Sequence, residues 1–430
     1  MIFIKHAHNH LINCADVLRH RRPTEKTKEK VLELYAKGHS PSSALNMIKY
    51  DLQEEYGDEY YLYAADGSIC PSSRYMFYLY DTTFSNRYGA PDGVEMLKSL
   101  ETFIQKYNEE CGTVCAKLDT DISKKQVRLA VCTPLMRRVH ENLKSSGEIM
   151  FVDASGTIDR HGSRVFIFLA PSLAGGLPLG ILILFSESED EITKGLEVLK
   201  SILPEKAFFG RSGPGVIMTD DSDAERNSLK SAFITAVLIL CKFHILQALW
   251  RYLLNSQNGV LQTDRQLIFE AFRKLFFCKT VQDAEKEYNK FMANEMLMTI
   301  VDGEWMLIVK KYPKVFDYLK NLWSRKKEWL PASIKDQHLI TRGHSTNNLS
   351  EANFRIVKDK IMERLKAFSL VQLFDFLTTK YDAHFIQVLG DFLSNRSIKK
   401  KRYWIPKEKT KNLIVTKCAE DVFLVTNTDK

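Results

Sequence analysis

The sequence predicts an α/β protein: a mixed five-stranded sheet with an all-helical insertion, preceded by a small helical N-terminal region. Three observations carry this expectation. Ile149–Ala154, Arg164–Ala170 and Pro178–Phe185 are short β-rich runs joined by Gly, Pro and Ser turns. Next come an amphipathic helix (Glu189–Leu203), a strand (Val216–Thr219), a helix (Ser222–Phe233) and a strand (Ala236–Cys241). Residues 243–335 then lose all strand alternation and become helical and aromatic-rich.

At 430 residues the chain exceeds what one compact core usually organises, so two or three units are expected. With 45% hydrophobic and 27% charged residues, the composition excludes a disordered or collagenous chain. The net charge of +8 permits an anionic partner without requiring one. Eight scattered Cys fit reduced thiols in a nuclear or cytosolic setting. Pro171, Gly175, Gly176 and Pro178 break the apolar stretch Val165–Ala170 with Leu177–Phe185 into pieces that, like Ala232–Leu240, fall short of the roughly 20 residues a membrane helix needs. No secretory signal opens the chain, and a soluble protein with no membrane partner is expected.

Taken in order, residues 1–92 read as a helical, basic region. Thr27–Gly38 has helical spacing, and Ser40-Pro41 starts a capped second helix. Beside them runs the basic stretch Arg19–Lys30. The pair is either a small DNA-contacting unit using Arg19, Arg21 and Arg22 or a solvated amphipathic pair. Residues 93–242 hold a helix at Gly93–Glu110, a strand at Val127–Cys132 and the first part of the sheet. Residues 243–340 form the helical insertion. Residues 341–395 supply the final helices, with Thr346–Lys366 as one long helix, and residues 396–430 are a basic tail. This order matches that of the ribonuclease H-like fold.

Two-metal phosphoryl-transfer sites need carboxylates on rigid elements around a pair of divalent ions roughly 4 Å apart. An acid stands at each place where that fold would present one. Asp153 ends the first strand, Asp220 follows the fourth, and Glu351 lies early in the late helix. Asp221 and Asp223 compete for the second position and Asp159 for the first; Asp359 and Glu363 fall further along the late helix. Any one Asp at a strand end commonly caps a turn. Three in this topological order point to metal-assisted chemistry.

These residues carry a resemblance to the Mutator-like element (MULE) transposases. Asp153-Ala-Ser-Gly-Thr resembles the family's first-aspartate strand. Thr219-Asp220, a helix, and Cys241-Lys-Phe-His244 resemble its second aspartate and C-x-x-H signature, and Thr346-Asn347-Asn348-x-x-Glu351 its approach to the glutamate. The resemblance covers about residues 145–390. It implies a DDE recombinase that cleaves and joins DNA with Mg²⁺ or Mn²⁺ held by Asp153, Asp220 and Glu351. It also implies a nuclear homo-oligomer acting on element ends and target DNA. Cys241 and His244 have three open readings: structural, adjacent to the catalytic groups, or zinc-binding.

The ends depart from the family's pattern. His6, His8, His10 and Cys14 are either surface residues or the remnant of a zinc module, and no Cys/His-rich element follows the catalytic region. Zinc is therefore not expected in this chain. DNA contact would fall to the N-terminal region, the insertion and the tail residues Lys399, Lys400, Lys401 and Arg402. The alternative to an active transposase is a domesticated, catalytically inactive DNA-binding protein that keeps the fold.

Overall fold

The computed structural model describes residues 14–37, 39–156, 158–293, 298–301, 304–396, 413–419 and 422–427. The chain divides into two compact units. One comprises Met1–Val114, Ser155–Val165 and Phe354–Thr379; the other comprises Cys115–Ala154, Phe166–Asn353 and Lys380–Lys430.

The first unit is helical. Thr24 and Ser40 cap the helices Glu25–Ala36 and Pro41–Tyr56, each side chain accepting a backbone N–H three residues on. Their apolar faces meet the helix Ser73–Tyr88 over a core of Val31, Tyr35, Ala44, Ile48, Leu52, Met76 and Leu79. The Tyr35 hydroxyl, buried there, donates to the Met76 carbonyl at 2.6 Å. Sequence spacing found the first two helices. It missed Ser73–Tyr88, and it separated Gly93–Cys111 and Phe354–Thr379 from a unit to which they belong.

The second unit is built on a mixed sheet of seven strands: β1 (Ala116–Asp121), β2 (Gln126–Val131), β3 (Ile149–Ser155), β4 (Arg164–Ser172), β5 (Gly175–Leu184), β6 (Val216–Thr219) and β7 (Val237–Leu240). They lie in the order β1-β2-β5-β4-β3-β6-β7. The five expected strands are all present. The count is corrected to seven because β2 pairs antiparallel with β5 and brings β1 with it. Arg128, on β2, is buried. Its guanidinium grips Glu191 through two hydrogen bonds of 2.8 and 2.9 Å and also reaches Asp119.

β3 and β6 are parallel neighbours. Their start is fixed by backbone bonds from Gly215 N to Gly147 O and from Val216 N to Glu148 O. Gly147 is required there, since a Cβ would stand 2.3 Å from the Phe208 carbonyl oxygen. Helices Glu189–Ile202 and Asp223–Ala232 connect the strands, capped by Ser188 and Ser222. Pro171 and the Gly175-Gly176-Leu177-Pro178 run do not break the strands as expected; only Leu173-Ala174 turns.

After β7 the chain is mostly helical through Asp336, around a core that includes Leu249, Ile268, Phe272, Phe316, Leu319 and Trp329. It is not all-helical: Met298–Val301 and Glu304–Leu307 form an antiparallel hairpin. The expected long helix at Thr346–Lys366 is also shorter. It runs Asn348–Arg355, continues as a π-helix over Ile356–Ile361, and is ended by positive φ at Glu363 and Arg364. In the tail, Leu413–Ala419 and Val422–Asn427 pair as a further hairpin. Among the described residues no helix is long and apolar enough to cross a membrane.

Candidate active site

In the β3–β6 ladder Ile149 faces Val216, Met150 faces Ile217 and Phe151 faces Met218. Asp153, two residues after Phe151, and Asp220, two residues after Met218, line the same cleft. The residues before them, Ile149–Val152 and Val216–Thr219, are buried, so each Asp is the first ionisable side chain after a buried run. Adjacent strands lie about 4.8 Å apart, and the charge of Asp220 is felt at Asp153. Burial, and then the neighbouring Asp220 charge, push Asp153 up to about 7. Its Oδ1 accepts the Ala154 N–H at 2.8 Å.

The remaining two groups arrive through one junction. Cys241, directly after β7, caps the helix Lys242–Leu254 and so puts His244 in its first turn. The Cys241 sulfur accepts the Asn347 backbone N–H at 3.1 Å, and Lys242 N donates to Ser345 O at 3.0 Å. The Asn347 side-chain amide donates to the Val152 carbonyl at 2.9 Å. These three bonds fasten the start of the helix Asn348–Arg355 to the ends of β3 and β7. Glu351, in that helix's first turn, then lies with Oε1 4.0 Å from His244 Nε2. On its other side His244 Nδ1 is 2.5 Å from Asp220 Oδ1. Asp220, with a smaller push from the Cys241 thiol, drives His244 up to about 10 against the effect of burial. Neither facing atom makes a well-aligned hydrogen bond, and both are buried.

The structure therefore brings Asp153, Asp220, His244 and Glu351 into one neighbourhood, with Cys241 and Asn347 as its fastening. Asn348 is exposed and takes no part in the junction. Three of the five competing acids are engaged elsewhere. Asp221 is gripped by Arg325 at 2.7 and 3.1 Å, and Asp223 is exposed at a helix start. Asp159, in the other unit, accepts the backbone N–H and hydroxyl of Ser163 in a turn. Asp359 pairs with Arg364, and Glu363 lies past the helix end rather than on it.

Of the basic residues, Arg19 pairs with Asp16 at 3.4 Å and Arg21 with Asp66 at 2.9 Å, while Arg22 is exposed. Lys399, Lys400, Lys401, Arg402, His6, His8 and His10 lie outside the described residues.

One acid escaped sequence reasoning. Glu225 is buried in the first turn of the helix Asp223–Ala232, and burial, then the charges of Asp220 and Asp153, push it up to about 8. With Asp153, Asp220 and Glu187 it lines an open cleft of about 330 Å³.

No family model matches the chain, and no curated protein is significantly similar to it. Among the described residues no three His, Cys, Asp or Glu side chains are gathered into a ready-made metal site. Mg²⁺ seldom uses such a cage, since one or two carboxylates usually hold it while phosphates and water complete the shell. The donors here are hard carboxylate oxygens, and the buried Asp220 Oδ1 lacks an aligned partner. That donor chemistry suits such an ion.

Proposed function

We propose that the chain is a DDE-type DNA phosphodiester-transfer enzyme, a transposase of the Mutator-like kind or an element-derived copy of one. The observation that carries this reading is the meeting of Asp153, on β3, and Asp220, directly after the parallel β6, in one cleft, with Glu351 held near His244 by the Asn347 junction. The order β5-β4-β3-β6-β7, with β3 and β6 central to it, supports a ribonuclease H-like core. The helical segment between β7 and Glu351 stands as its insertion.

In this reading Asp153, Asp220 and Glu351 would hold Mg²⁺ or Mn²⁺. Such ions activate the attacking water or 3′-OH and offset charge on the leaving oxygen. The protein's own part is positional and electrostatic. The parallel ladder fixes the two Asp, the Cys241–Asn347 junction fixes Glu351, and cationic His244 offsets negative charge beside Asp220. The partners proposed are DNA, at element ends and target, and further copies of the chain, in the nucleus.

The direct test is nicking of supercoiled plasmid by the full chain. Nicking in Mg²⁺ or Mn²⁺ that EDTA abolishes is expected. An inert chain in both ions would overturn the reading in favour of a non-catalytic DNA-binding protein.

DNA contact by the tail is tested separately. Changing Lys399, Lys400, Lys401 and Arg402 together to Ala is expected to weaken binding at all sequences. It should also flatten the log–log salt slope by about one unit for each phosphate no longer neutralised. An unchanged slope in a salt titration removes the tail from the interface.

A further inference from the structure

The sequence Ser222-Asp-Ala-Glu225 spells a capping box, in which Ser would accept the Glu N–H and the Glu carboxylate would return to the Ser N–H. Only half of it forms. The Glu225 N–H reaches Ser222 Oγ at 3.5 Å, whereas Glu225 Oε1 is buried with no hydrogen-bond partner. The residue is 5% exposed, and a buried carboxyl left unpaired is costly enough to need a cause. The neighbouring guanidiniums are committed elsewhere. Arg226 bonds Glu328 at 2.7 Å and Thr219 at 3.3 Å, and Arg325 holds Asp221.

Glu225 lines the cleft together with Asp153 and Asp220; Glu351 and His244 do not. We infer that Glu225 is a further cation ligand of this cleft, where it and a neighbouring Asp would take one divalent ion, Mg²⁺ or Mn²⁺, whose shell water and phosphate complete. This deepens the proposed function and rests on it. The cleft's open form suits an ion that keeps several waters and takes its last ligands from a phosphate.

The test is Mn²⁺ binding to the full chain without DNA, read by the loss of the free-ion electron paramagnetic resonance signal, so activity is not needed. Wild type should bind two ions, as a two-metal site requires. Glu225→Gln, of the same shape, should bind one, and Glu351→Gln should also bind one. Glu225→Asp keeps the charge but retracts it, and it should weaken one ion by at least about 10-fold, the lower range for a disturbed metal shell. Circular dichroism checks that each variant folds. Two ions bound by Glu225→Gln with wild-type affinity would overturn the inference and leave the proposed function standing. No Mn²⁺ bound by wild type would overturn both.

Discussion

Asp220→Asn is expected to abolish metal-dependent nicking while leaving the chain folded. The side chain stands at the meeting point of the site. It follows β6, faces His244 at 2.5 Å, and its charge is felt by both Asp153 and Glu225. Asn keeps the shape but removes the charge that a cation needs and that holds His244 protonated. Losing one preorganised electrostatic element commonly costs about 10²–10³-fold in rate, and Asp220, which touches three other ionisable groups by contact or charge, should sit at or beyond that range. Asp221→Asn is the informative control. Its carboxylate is taken by Arg325 and does not line the cleft, so initial nicking rates should stay near wild type. Equal rates for wild type and Asp220→Asn would remove Asp220 from the chemistry; loss in Asp221→Asn alone would exchange their roles.

The contrast between neighbours shows what the sequence could and could not disclose. Strand periodicity placed Val216–Thr219 to the residue, and with it Asp220. It could not say that Asp221 meets Arg325, because that partner lies 104 positions away and is reached only after the helices fold. Glu225 was legible only as half of a capping signal; its burial and its missing bond are tertiary facts. Arg128 is a second case. A charged residue in Gln126–Val131 suggests one wet face, yet Glu191 from a distant helix pairs with it and makes its burial tolerable. The His244 contact was half-visible. Its spacing from Cys241 put both on one helix turn, but only the register of β6 and β7 set it against Asp220.

The same crowding predicts that the site weakens the fold as pH rises. Asp153 moves from the usual 3.8 to about 7 and Glu225 from 4.5 to about 8. Between those limits the folded chain binds more protons than the unfolded one, so stability falls with rising pH. The contribution is complete below about pH 4 and is lost as pH passes through about 7 and 8. His244, raised from 6.5 to about 10, acts with the same sign, and its contribution is lost higher still. Each unit of displacement is worth roughly 1.4 kcal/mol, so in EDTA the chain should lose several kcal/mol of stability between about pH 5 and 9. Urea midpoints at fixed ionic strength measure this. Glu225→Gln should shallow the decline by carrying no charge to bury, and Mn²⁺ should shallow it in wild type by neutralising the same carboxylates. Glu351→Gln, which leaves Glu225 in place, should retain most of it. A midpoint independent of pH across that range would mean that the carboxyls are less confined than their burial implies.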